Sequence, residues 1–333
     1  MVATVFYKSI NGEVMVIGLV FPGQGCQYDK MGMDFLSVSE ESIKFCKAVE
    51  DHISMSITTL LSDVDKNDNL SQLRIIVAEI LIYYAFKSKI SESNIEVKFV
   101  AGHSLGEYSA LYVSGILSLS ELLNLVLFRN KVIESNQFSE KTSMIAITNS
   151  DITNIIQSIS KLNIENLFPS NINSYKQVVY SGSVSAINDL VENVDDDIRS
   201  VVLNVNQGYH SPLMKNASVK FRDYILKSNF SVNSIDLEGI KVLNNLTGEC
   251  YSSKEEVLSN LSKQLVSPVD WVKVIEKLSK NVDAIVEIGP GKTLTKFNKN
   301  ILKNNKIKDV YLGHIEDIET LNFEIREMCY EAD

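Results

Sequence analysis

VKFVAGHSLGEYSALYV, residues 97–113, is the stretch on which the fold turns. Val97 to Ala101 is a short apolar run of the kind that forms a buried strand, and residues 105–114 carry a helical pattern. Between them stands Gly102-His103-Ser104-Leu105-Gly106, a G-x-S-x-G motif. That motif has mechanical meaning only between a strand and a helix, where glycines permit a sharp turn that lifts a serine hydroxyl to the helix N-terminus. The N–H of Leu105 is then placed to stabilise an oxyanion. Strand, turn and helix in this order predict an α/β fold with a parallel sheet covered by helices.

The flanking sequence extends that reading. Val16 to Phe21 reads as another buried strand, ended by Pro22-Gly23-Gln24-Gly25, and helical patterns fill roughly 33–60, 70–88 and 119–135. From residue 141 to 206 the rhythm becomes β-α-β-β-α-β, the ferredoxin-like order. Its parts are Met144–Thr148, Ile152–Leu162, Ile164–Ile172, Gln177–Ser181, Val184–Val194 and Ser200–Val205. The expected organisation is a large subdomain of residues 15–140 and 207–333 with a small subdomain, 141–206, inserted in it. A helix from Pro212, a strand near 239–246, helices across 253–279, the strand Ala284–Ile288, a last helix and the strand Val310–Gly313 complete the large part. Residues 1–14 form an N-terminal extension to which no role is assigned.

A serine needs a base, and the chain has four histidines. His103 adjoins the serine and is expected to brace the turn. His52 lies on an amphipathic helix, and His314 ends a late strand. His210, in Gly208-Tyr209-His210-Ser211-Pro212, fits best: it precedes an N-cap serine and a first-turn proline, on a loop where a rigid scaffold presents catalytic groups. A second unusual residue is Arg129. It falls on the same helical face as Leu122, Leu125, Val126, Val132 and Ile133, and a guanidinium cannot shed its charge when buried. Its anion could be an internal carboxylate, or the side chain could snorkel to solvent. Glu287-Ile288-Gly289-Pro290-Gly291-Lys292-Thr293 looks like a phosphate loop, but a Walker A motif requires glycine where Val286 stands.

Composition narrows the class. A net charge of −10 argues against nucleic acid as a partner. No apolar run approaches the roughly 20 residues that span a bilayer, and the first residues lack the pattern of a secretory signal. The four cysteines (Cys26, Cys46, Cys250, Cys329) are scattered without metal spacing, so no metal site is expected and a reduced, cytoplasmic compartment is. A basic stretch, Lys296, Lys299, Lys303, Lys306 and Lys308, is read as a solvated helix face or a docking patch.

These pieces together resemble the malonyl-CoA:acyl carrier protein transacylases, including the free-standing acyltransferases that serve polyketide synthases. The resemblance runs from about residue 16 to the end. It rests on Phe21-Pro-Gly-Gln-Gly-Cys-Gln, Gly102-His-Ser-Leu-Gly-Glu-Tyr, Arg129, Tyr209-His-Ser-Pro-Leu-Met, Gln264-Leu-Val-Ser-Pro-Val-Asp-Trp and Glu287-Ile-Gly-Pro-Gly. It implies an α/β-hydrolase-like large subdomain with a ferredoxin-like insert. It implies that Ser104 is the nucleophile, His210 the general base, and Gln264 the side chain that orients the histidine in place of a triad acid. Gln24 and Leu105 would supply the oxyanion-hole N–H groups. Arg129 would pair with the free carboxylate of a malonyl group, with Gln72, His103 and Tyr209 also lining the substrate site.

Three departures stand out from the family pattern. Cys26 replaces a serine, Leu73-Arg74 replace a Pro-Ala pair after Gln72 and are expected to alter that pocket edge, and Gly208-Tyr209 precede the histidine where malonyl enzymes carry Ala-Phe and methylmalonyl ones Ala-Ser. The implied activity moves a malonyl group from malonyl-CoA to the phosphopantetheine thiol of an acyl carrier protein, for polyketide or fatty-acid synthesis. It needs no cofactor of its own, and a monomer is expected. The rival readings are an acyl hydrolase that clears carrier proteins, disfavoured by the buried cation, and a catalytically silent docking module, disfavoured by the intact site motifs.

Overall fold

The computed structural model describes residues 14–62, 70–148, 151–195, 198–228, 230, 232–233, 235, 239–304 and 310–331. All but Val14 of the expected N-terminal extension lies outside them, as do Lys306 and Lys308 of the basic stretch.

Ten strands occur in chain order: β1 (Met15–Phe21), β2 (Ile95–Gly102), β3 (Thr142–Thr148), β4 (Leu167–Ser174), β5 (Gln177–Ser183), β6 (Arg199–Val202), β7 (Lys241–Leu243), β8 (Val269–Asp270), β9 (Ala284–Ile288) and β10 (Tyr311–Ile315). Five of them form a parallel sheet in the order β10-β9-β1-β2-β7. β1 is its centre, and alternate residues of β1 enter two different cores. Ile17, Leu19 and Phe21 pack under the helices Ser71–Ile90 and Leu119–Glu134. Val20 packs with Trp271, Ile275 and Leu278 on the other face. A strand buried on both sides reads as an apolar run because helices cover both faces of a parallel sheet. Ser71–Ile90 is buried on nearly every side, from Leu73 through Phe86, because it lies between the sheet and an outer layer. The helix Leu119–Glu134 begins at a reciprocal cap between Ser118 and Glu121, which satisfies donors that the first turn leaves open.

The other five strands form the sheet of the small subdomain, β6-β3-β5-β4-β8. Its first four members pair antiparallel in the ferredoxin-like order. Ile145, Ile147, Val178 and Tyr180 point toward the helices Ile152–Lys161 and Val184–Asn193. Met144, Ala146 and Val179 point the other way and pack against Tyr209. The period of two thus assigns one face to a local core and the other to the cleft between the subdomains.

Two elements were not expected. β8 adds to the edge of the small sheet, parallel to β4, although its residues come from the returning chain. Two residues are too few to leave a periodic signal. The helix Ile318–Glu331 follows β10; Leu321 and Met328 are buried on it at helical spacing, which acidic neighbours obscure in the sequence. Among the described residues, no helix is long and apolar enough to cross a membrane.

Candidate active site

The C-terminal ends of β1, β2 and β9 meet at one point, where open α/β sheets place their ligands. β2 runs into the G-x-S-x-G turn, and the His103 N–H donates to the Phe21 carbonyl at 2.9 Å, tying the turn to the end of β1. Ser104 has φ of +53°, an uncommon conformation for a residue with a side chain. The two glycines are sterically required: a Cβ at Gly102 would stand 1.9 Å from the Gly106 carbonyl carbon, and one at Gly106 would stand 2.2 Å from the Phe21 oxygen.

Ser104 Oγ lies 2.6 Å from His210 Nε2. His210 Nδ1 lies 2.8 Å from the backbone carbonyl of Gln264. A carbonyl only accepts, so Nδ1 carries the proton and Nε2 is left to accept from the serine. This corrects one expectation. The histidine is oriented by the main chain of Gln264, whereas its side-chain amide donates to the Ser104 carbonyl at 2.9 Å and to Glu107. Gln264 caps the helix Lys254–Lys263 and begins a short 3-10 turn, where terminal carbonyls lack partners within the helix and are free for such use. Burial, aided by the nearby Arg129 cation, lowers the His210 pKa to about 3. The imidazole is neutral throughout the ordinary pH range, which leaves Nε2 free to accept the serine proton.

Arg129 is fully buried. Its Nη1 donates to Gln72 Oε1 at 2.6 Å, and its Nη2 lies 3.5 Å from both Ser104 Oγ and Gln264 Oε1. The guanidinium carbon stands 5.6 Å from the centre of the Tyr108 ring. Among the described residues, no carboxylate makes an ion pair with it. Arg129 Nε, Gln72 Nε2 and the Tyr108 hydroxyl are buried without a hydrogen-bond partner. Neither open reading of Arg129 therefore holds, since it meets no carboxylate among the described residues and does not reach solvent.

The remaining expected residues sit around this pair. The Tyr209 ring covers the cleft side, and its hydroxyl meets the side chain of Gln24, which is exposed on the loop after β1. The Leu105 N–H has no acceptor among the described residues. His103 bonds Asn173 of β4 at 2.9 Å and meets Trp271 edge-on; burial lowers its pKa to about 4. It joins the turn to the small subdomain. Arg74 turns away from the pocket edge and donates to the Leu60 carbonyl at 2.6 Å. His314 lies beside Glu316 and Glu324, and His52 is exposed on its helix. The apparent phosphate loop is filled from within: Glu287 accepts the N–H groups of Leu294 and Thr295 at 3.0 and 2.7 Å, occupying the helix N-terminus where a phosphate would bind. Burial raises its pKa to about 7. Its glycine turn leans on the loop after β1, with a Cβ at Gly289 falling 2.7 Å from the Pro22 ring.

Sequence reasoning missed Asn245, Glu107 and Tyr251, all buried beneath the turn. Glu107 stands in the motif-bearing helix, and an acidic residue on an apolar helix was a usable signal. Asn245 offered none, because its partner is the main chain of a distant turn.

A serine, a neutral histidine and a free N–H at a helix start are the apparatus of acyl transfer. Comparison with known proteins agrees. Residues 19–322 match the model of the acyl transferase domain family. The chain belongs to that family. The acyl transferase is 29% identical to a malonyl CoA-acyl carrier protein transacylase of Bacillus subtilis, over 95% of this chain and 98% of the relative. It is 29% identical to one of Staphylococcus aureus, over 91% of this chain and 97% of that relative. Among solved structures it resembles the malonyl CoA-acyl carrier protein transacylase of Clostridium perfringens, with a TM-score of 0.82 and 27% identity, covering 94% of this chain and 96% of the other.

Proposed function

We propose that this acyl transferase moves a malonyl group from malonyl-CoA to the phosphopantetheine thiol of an acyl carrier protein, through an ester on Ser104. One observation carries the choice of acyl group: a fully buried Arg129 with no carboxylate partner among the described residues, its Nη2 3.5 Å from Ser104 Oγ. A malonyl ester holds its free carboxylate two bonds beyond the ester carbon, within reach of that guanidinium. Such a pair, formed out of water, is strong and specific. An uncharged acyl chain would leave the cation unpaired.

The mechanism has two mirrored halves. His210 Nε2 takes the Ser104 proton as Oγ attacks the thioester carbon, and the N–H groups of Leu105 and Gln24 receive the oxyanion. The C–S bond then breaks, and the coenzyme A thiolate leaves with the proton from His210. In the second half the carrier's thiol gives its proton to His210, attacks the ester, and Ser104 leaves with that proton. The enzyme returns to its starting state, so the kinetics are ping-pong. Free Cys26, Cys46 and Cys250 fit work in a reduced cytoplasm.

Intact-protein mass spectrometry after incubation with a panel of acyl-CoAs tests the reading. The expected result is one malonyl mass on the wild type and none on Ser104→Ala. Preferential loading of uncharged acyl groups would overturn the malonyl assignment.

A further inference from the structure

The Ser104 N–H is held by a side chain, and its carbonyl is shared between a side chain and the Glu107 N–H of the following helical turn, at 3.2 Å. Asn245 Oδ1 accepts the Ser104 N–H at 2.9 Å, and Asn245 Nδ2 donates to the Gly102 carbonyl at 2.7 Å. On the other side, the Gln264 amide donates to the Ser104 carbonyl at 2.9 Å. The two clamps converge. Glu107 accepts the Asn245 backbone N–H at 3.1 Å and the Tyr251 hydroxyl at 2.8 Å on one oxygen, and the Gln264 amide on the other. Asn245 and Glu107 are each 1% exposed, so water does not compete for these bonds. Asn245 is itself fixed by the tight turn after β7, where Asn244 Oδ1 accepts the N–H groups of Leu246 and Thr247.

From this arrangement we infer that Asn245 is a positioning residue for the nucleophile, and that Glu107 joins its clamp to the one that orients the base. Left-handed backbone at a residue with a side chain is held only where the surroundings over-determine it. Asn245 brackets the strained residue by binding one group before it and the group at it. It also decides which donor serves the oxyanion: with the Ser104 N–H engaged, the next one along, on Leu105, is the N–H left facing the reaction. Gln264 belongs to both halves, its side chain on Ser104 and its carbonyl on His210. Through Glu107, the placement of nucleophile and base becomes one mechanical unit.

This inference rests on Ser104 being the acylated residue, as proposed above, but not on which acyl group it takes. Single-turnover loading is therefore measured with malonyl-CoA, acetyl-CoA and a fluorophosphonate, which forms an Oγ–P bond at an activated serine as fluoride leaves. On folded Asn245→Ala, the first-order rate constant should fall about 10- to 100-fold for all three probes, with half-saturation by malonyl-CoA unchanged. Asn245→Asp provides a second test that does not require a cavity. Protonated, the new carboxyl can again accept from Ser104 and donate to Gly102; ionised, it loses the donor and opposes both the Gly102 carbonyl and buried Glu107. Its rate should rise as pH falls from 8 to 5, whereas the wild-type rate stays flat. Wild-type rate constants in Asn245→Ala, a loss confined to half-saturation, or a flat pH profile in Asn245→Asp would each overturn the inference. If the wild type reacts with the fluorophosphonate but not with malonyl-CoA, the malonyl assignment fails and the Asn245 test still proceeds on that probe.

Discussion

The two ends of the active site are built on opposite terms. Around Ser104 each polar group has its partner: Asn245 on the N–H, Gln264 on the carbonyl, His210 on the hydroxyl. Around Arg129, less than a side chain's length away, Arg129 Nε, Gln72 Nε2 and the Tyr108 hydroxyl are buried and unpaired. Unpaired buried groups cost stability, so the second region is out of balance until an anion enters it. The contrast separates two jobs. The first region is preorganised for chemistry that every acyl group shares, and the second is selective for one kind of acyl group.

The largest effect should come from the shared machinery. His210→Ala removes the neutral imidazole that is hydrogen-bonded to Ser104 Oγ, and loading should fall by up to about 10⁴-fold for malonyl and acetyl groups alike. Rapid-quench loading assays measure this, and a loss restricted to malonyl-CoA would blur the division between the two regions.

Stability in the absence of substrate should move in opposite directions at the two ends. Glu107→Leu strands the Asn245 N–H, the Tyr251 hydroxyl and the Gln264 amide, and at about 1 to 3 kcal/mol for each unsatisfied group it should be destabilising by several kcal/mol. Arg129→Met removes a buried cation that has no counter-ion among the described residues, and should leave stability unchanged or raise it by up to about 4 kcal/mol. Urea unfolding monitored by circular dichroism compares them. A large loss in Arg129→Met would mean that the cation already has its anion.

The smallest effect concerns pH. With the His210 pKa lowered to about 3 by burial and by Arg129, the base remains unprotonated as the solution is acidified through the usual histidine range. The wild-type loading rate should therefore be level from pH 8 to 5, and would decline only nearer the lowered pKa. An inflection close to 6.5 would show a histidine in ordinary contact with water.

The same contrast explains what could be read from the sequence. The parallel sheet was legible because β1 and β2 are apolar runs that end in glycine turns, and the ferredoxin-like insert because alternation and helical periodicity follow each other in a recognisable order. Ser104 and His210 stand in short motifs whose local context carries their meaning. Arg129 was legible as an anomaly: a cation on an apolar helical face poses its question without any structure. Of the clamp beneath the turn, only Glu107, an acidic residue on an apolar helix, left a readable signal. Asn245, Glu107, Tyr251 and Gln264 are brought together from three separate segments, and their bonds run largely to main-chain groups that have no residue identity. For the same reason Gln264 was assigned its orienting role through the wrong part of the residue. A sequence displays side chains, whereas it is the Gln264 carbonyl that holds His210.

The most direct test of the account is the loading of folded Arg129→Ala by malonyl-CoA and by acetyl-CoA, measured side by side. Removing one partner of a buried ion pair costs about 3 to 5 kcal/mol. At about 1.4 kcal/mol per tenfold change, malonyl loading should fall by roughly two to three and a half orders of magnitude. Acetyl loading should be unchanged or faster, because the clamp on Ser104 is intact and an unpaired charge has gone. An equal fall for both substrates would contradict the account, making Arg129 part of the common machinery and removing the case for a dicarboxylic acyl group.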